Sequence, residues 1–165
     1  MVNVKNGKRG FGLIEILVGL SILSLSFFSL LLVGRNVSRL SASTTRSLQA
    51  DFLLEEGLEA LRSIRDRGWT ANIANLSLSS TSYYLDFSTT SSRWTSTTTA
   101  GVIDETFWRT FVVSSVSRDA SDDITLSGGT VDPNTKKFTV ILAWKGVSAT
   151  TTSSISTYLT NYFND

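Results

Sequence analysis

The 165-residue chain contains no cysteine and no histidine. Without cysteine there are no disulfides, no thiolate metal ligands and no thiol nucleophile. Without histidine the Ser-His-Asp triad, the Cys-His dyad and the usual zinc sites cannot be assembled. Most hydrolase designs are therefore excluded by inventory, and the chain reads as a non-enzyme, although the lack of cysteine leaves the redox compartment open. Charged residues are scarce at 18% and the formal net charge is +1. Nothing in that balance builds the clustered basic face that a nucleic-acid groove needs, so nucleic acid is not expected as a partner. Proline occurs once, at Pro133. A chain of this length has room for one modest core and one appendage.

What is present is strongly segregated. Residues 1–10, MVNVKNGKRG, carry Lys5, Lys8 and Arg9 with no acid, a short basic leader that stays cytoplasmic under the positive-inside tendency. Residues 11–34 are apolar or small apart from Glu15. At about 1.5 Å per helical residue that run spans a hydrocarbon core of roughly 30 Å. Beyond Arg35, Leu54, Leu58, Leu61 and Ile64 recur at helical spacing, while Glu55, Glu59, Arg62 and Arg65 fall on other faces. Gly68 after Arg65-Asp66-Arg67 reads as a helix stop. The spacing predicts one helix over about 12–67, apolar all round in its first half and amphipathic over 35–67.

After Gly68 the period falls to two. Phe138, Val140, Leu142 and Trp144 alternate along one predicted strand, Phe107 to Val113 form a second, and Ile155 to Phe163 a third. Tyr83 to Phe87 reads as a small edge strand within a segment, 70–102, that otherwise reads as loop. Asp132-Pro133-Asn134-Thr135 and Gly128-Gly129 read as turns. The expected fold class is α+β, with an antiparallel sheet over 68–165 covered by the amphipathic stripe.

Glu15 is the anomaly. A carboxylate inside a bilayer costs roughly 2.5–3.5 kcal/mol unless it finds a partner, and residues 11–34 contain no cation. Cutting between Gly10 and Phe11 would create one, a new α-amino group close to the carboxylate. Basic residues, Gly10, Phe11, an apolar run and Glu15 at the fifth place after the glycine together resemble the class III signal of type IV prepilins and pseudopilins. The resemblance implies the type IV pilin fold and cleavage by a membrane prepilin peptidase after Gly10. It also implies N-methylation of Phe11 and pairing of Glu15 with the terminal amine of a neighbouring subunit. Its partners would be the peptidase, other pilin or pseudopilin subunits and the cytoplasmic membrane, with the head extracytoplasmic. No cofactor, metal or catalytic residue is implied. LEEGLEALRSIRDRGW and the final TYLTNYF resemble minor pilins of the type IV pilus modification kind. Major pilins often carry a proline in the oily half and a disulfide-closed loop, and this chain has neither, which favours a minor pilin or pseudopilin role.

Several plainer readings compete. Residues 11–34 also suit a single-span anchor carrying an extracellular binding or adhesion module, or a secretory signal, although the run exceeds a usual h-region. Asp119, Asp122 and Asp123 offer oxygen ligands for calcium or, more simply, a solvated turn. Asp104 and Glu105 are adjacent and point apart in any regular element, which suits a loop better than acid-base chemistry. Trp69, Trp94, Trp108 and Trp144 read as sugar-binding surface or as core packing. Asn36 and Asn75 head glycosylation sequons.

Overall fold

The structure, a computed structural model, describes residues 12–78, 81–146 and 149–163. Its internal contacts divide the chain into two units, one ending at Thr45 and one beginning at Arg46. A single helix, α1, runs from Leu13 to Asp66 over 54 residues. It extends this far because nothing in it breaks a helix: there is no proline and leucine dominates. Gly68, at φ 129°, ends it in a backbone conformation open only to glycine, and its N–H closes the last turn on the Arg65 carbonyl at 3.0 Å.

In the first unit the large apolar side chains of α1 are exposed, and the helix is long and apolar enough to cross a membrane, with a mean hydropathy of 2.6 over its most apolar window. The hydroxyls within this stretch are satisfied by the helix itself. Ser21, Ser24, Ser26 and Ser29 donate to the carbonyls of Leu17, Leu20, Ile22 and Leu25 at 2.8–2.9 Å. Each polar side chain thus enters an apolar medium without an orphaned donor.

The second unit contains the core. Burial along α1 begins at Ala50 and continues through Leu54, Gly57, Leu58, Leu61 and Ile64. A short helix, α2, spans Trp69–Asn72. Two strands, β1 (Tyr84–Ser88) and β2 (Arg93–Thr97), form an antiparallel ribbon. The main sheet is built from β3 (Phe107–Arg118), β4 (Ile124–Thr125), β5 (Thr130–Lys145) and β6 (Thr150–Thr160), in the order β4-β3-β5-β6. All its neighbours pair antiparallel. The α+β layout expected from the sequence is therefore the observed one: a long amino-terminal helix packed on antiparallel strands.

Period-two alternation decides the inner face. Phe107, Phe111 and Val113 of β3 and Phe138, Val140, Leu142 and Trp144 of β5 are all buried. The register sets Phe111 opposite Val140 and Val113 opposite Phe138. Burying each such side chain contributes about 1.5–3 kcal/mol, and neither helix nor sheet has another way to cover its apolar side. Gly57 permits the close approach: a Cβ there would lie 3.0 Å from Val140 Cγ1.

The structure corrects three expectations. In the segment 70–102 the edge strand expected at Tyr83 to Phe87 is present as β1, but the stretch expected as loop also holds most of α2 and the whole of β2. The β1/β2 ribbon is short and carries mixed polar residues, so periodicity was weak there. Asp132-Pro133-Asn134-Thr135 does not reverse the chain but lies inside β5, where pairing jumps from Ser115 opposite Lys136 to Val116 opposite Asp132. The turn chemistry is real, since Asp132 accepts the Asn134 N–H at 2.8 Å, but it builds a bulge, a position where a strand tolerates proline. The last strand starts earlier than expected, at Thr150, and ends at Thr160, because Ser and Thr pair in a ladder as readily as apolar residues when one face is exposed.

Candidate functional site

Glu15 lies in the first turn of α1 as its third residue, with Gly12 at the cap. Gly12 N–H donates to Glu15 Oε2 at 2.8 Å, and the Gly12 carbonyl accepts from the N–H of Glu15 at 3.0 Å and of Ile16 at 3.3 Å. This is the reciprocal half of a capping box, in which the third helical carboxylate ties back an orphan N–H. A negative charge at this end is also favoured by the helix dipole. Sequence reasoning sought a cation for Glu15 and missed this neutral donor; an acid three places after a helix start was the available signal. Glu15 makes no ion pair among the described residues. The expected cleavage site, Gly10 and Phe11, with the methylated amine of Phe11, lies outside the described residues.

The head buries two cations that sequence reasoning did not single out. Arg109 lies on the inward row of β3 between Phe107 and Phe111, 5% exposed. Its Nη1 donates to the Leu53 carbonyl at 2.8 Å and to Glu56 Oε2 at 2.7 Å, and its guanidinium lies over the Trp94 ring at 5.3 Å. Its buried Nε has no partner among the described residues. Lys136 occupies the corresponding inward row of β5, and its Nζ donates to the carbonyls of Ile73 at 2.9 Å and Ala74 at 2.6 Å. Burial pushes the Lys136 ammonium below its ordinary pKa. Both cations join the sheet to neighbouring backbone. Their inward parity, legible from the alternation with phenylalanine and valine, was the signal for them.

At the bulge, Arg118 Nε donates to Asp132 Oδ2 at 2.7 Å, and that bond raises the Arg118 pKa. Burial pushes the Asp132 carboxyl up, but hydrogen bonds from Arg118, Thr135 and the Asn134 N–H outweigh it and hold the group below the usual carboxylate range. An open cleft of about 680 Å³ adjoins these residues and Asp119. The aspartates proposed for calcium are used locally: Asp119 accepts the N–H groups of Ser121 and Asp123 at 2.8 and 3.0 Å, and Asp122 faces Arg118 at 3.7 Å. Among the described residues no group of three or more acidic side chains is placed to hold a metal.

The remaining candidates disperse. Asp104 and Glu105 occupy the turn before β3 at φ 48° and 53°. Trp69 and Trp144 are core residues at 3% and 6% exposure, Trp94 packs against Phe87 and Arg109, and Trp108 lies on the outer face of β3. The four tryptophans therefore form no common surface. Asn36 lies within α1, and Asn75 Nδ2 donates to the Thr70 carbonyl at 3.4 Å.

Residues 5–31 match the family model of the prokaryotic N-terminal methylation motif, the class III signal of type IV pilins. The match covers the amino-terminal signal and the first part of α1, and does not extend into the sheet-bearing unit. No curated protein and no solved structure matches the chain.

Proposed function

We propose that this chain is a minor pilin or pseudopilin, a structural subunit of a type IV pilus-like filament. The observation that carries the reading is the methylation motif over residues 5–31, leading into a 54-residue helix with a membrane-length apolar run. In this reading the peptidase removes residues 1–10 by cutting between Gly10 and Phe11, and Phe11 becomes the methylated terminus. The subunit waits in the cytoplasmic membrane with residues 11–34 inserted, residues 35–67 continuing the helix and residues 68–165 as an extracytoplasmic head.

Glu15 is then the assembly charge. Within one chain its Oε2 is held by the neutral Gly12 N–H, which orients the carboxylate without neutralising it. The terminal ammonium of a neighbouring subunit supplies the missing charge. A misplaced subunit would leave a buried charge unpaired, at roughly 3–5 kcal/mol, so the pair enforces register. The contact is head-to-tail, does not close, and therefore propagates as a helical assembly. The absence of proline in residues 11–34 and of cysteine throughout supports a minor rather than a major subunit.

Mass spectrometry of the amino terminus from the native host tests the reading. The expected product begins at Phe11 and carries one added methyl group. An intact Met1, or a cut elsewhere, would overturn it and leave a membrane-anchored binding module.

A further inference from the structure

The two edges of the main sheet differ. At one edge β4 pairs over only two residues, and β3 is further engaged where Tyr83 bridges Phe111. At the other, β6 runs for 11 residues, TTTSSISTYLT, in unbroken register with β5. It contains no lysine, no other charge, no proline and no bulge, which are the devices that blunt an edge against pairing. Among the described residues no strand covers its outer side.

A groove of about 520 Å³ opens beside this edge, between α1 and Ile155 of β6. Its apolar lining comes from Leu58 and from Phe52, which is 70% exposed. Its rim is acidic: Glu59 is paired with Arg62 and Glu56 with Arg109, whereas Glu55 makes no ion pair among the described residues. An extended chain laid along β6 would place alternate side chains over this groove. A basic residue among them would meet Glu55.

We propose that the free edge of β6 is a strand-addition site for an extended segment of another polypeptide, carrying apolar side chains and a lysine or arginine on the side that faces α1. Backbone bonds to β6 supply attachment without sequence preference, and the Phe52/Ile155 groove with Glu55 selects the segment. The edge and the groove both lie within the unit that begins at Arg46, so the inference does not depend on the filament reading.

The test uses the full chain in detergent micelles and a fluorescent peptide as long as β6, alternating valine with lysine and threonine. Binding is read by anisotropy, and its location by amide hydrogen exchange across residues 150–160. The lysine peptide is expected to slow exchange in β6 and to bind at least about tenfold more tightly than its glutamate counterpart. A version with prolines at two central positions is expected not to bind, and Glu55→Lys, at an exposed position, is expected to erase or reverse the charge preference. The proposal is overturned if the lysine peptide leaves β6 exchange unchanged, if the proline peptide binds as well, or if Glu55→Lys leaves the preference intact. Protection of β6 that rises with chain concentration and no peptide would assign the edge to a second copy, and would also overturn it.

Discussion

Arg109 and Glu56 form an unequal pair, and removing each partner in turn should have opposite consequences. The Arg109 side chain is 4% exposed while that of Glu56 is 46% exposed. Glu56→Ala strands a guanidinium inside the core with one carbonyl and the face of Trp94 as its remaining partners. Breaking a fully buried pair costs roughly 3–5 kcal/mol, and because Glu56 is half in solvent we discount this to about 1–3 kcal/mol for screening. Arg109→Met instead lets Glu56 rehydrate, fills a comparable apolar volume and removes a buried Nε that has no partner among the described residues, an omission that costs about 1–3 kcal/mol. The Leu53 carbonyl loses a second donor but keeps its place in the helix. Arg109→Met should therefore be neutral or stabilising by about 1–2 kcal/mol. Urea unfolding of the full chain in detergent, followed by tryptophan fluorescence, gives both values. If Arg109→Met is the more destabilising of the two, the buried guanidinium is a net source of stability and the reasoning fails.

Three further outcomes are expected. Gly57→Ala places a methyl 3.0 Å from Val140 Cγ1 and 3.3 Å from Arg109 Cδ; the overpacking cost of about 1–3 kcal/mol should outweigh the roughly 1 kcal/mol gained in helix propensity. Adding Val140→Ala should recover part of the loss, and strict additivity of the two changes would refute the contact. The depressed pKa of Asp132 means that its contribution is present above the unfolded carboxylate value, near about 3.9, and is lost as pH falls through the lower folded value. The midpoint gap between wild type and Asp132→Asn should accordingly be constant from pH 7 to about 5 and close below about pH 4, and a gap that widens on acidification would contradict the sign. Glu15→Ala should abolish incorporation into filaments while leaving the head's circular dichroism spectrum unchanged; normal incorporation would end the register argument.

Much of this architecture was legible in one dimension. A helix announces itself through composition and spacing, so α1 was expected over about 12–67 and observed over Leu13–Asp66. The buried row Phe138, Val140, Leu142, Trp144 was explicit in the alternation. Less legible were elements whose identity depends on a partner. Pro133 and its neighbours have turn chemistry whether they reverse a chain or bulge a strand, and only pairing with β3 on one side and β6 on the other determines which.

The candidate sites divide the same way. The amino-terminal motif over residues 5–31 is a linear signal, legible because its residues lie close together in sequence. The capping of the Gly12 N–H by Glu15 is local and depends on where α1 begins. The burial of Arg109 against Glu56 and of Lys136 beneath the residues after α2, and the open groove beside β6, were decided by tertiary structure, which brings together groups separated by up to 63 residues. Local propensity follows from a residue and its near neighbours; the solvation of a charge follows from everything that packs around it.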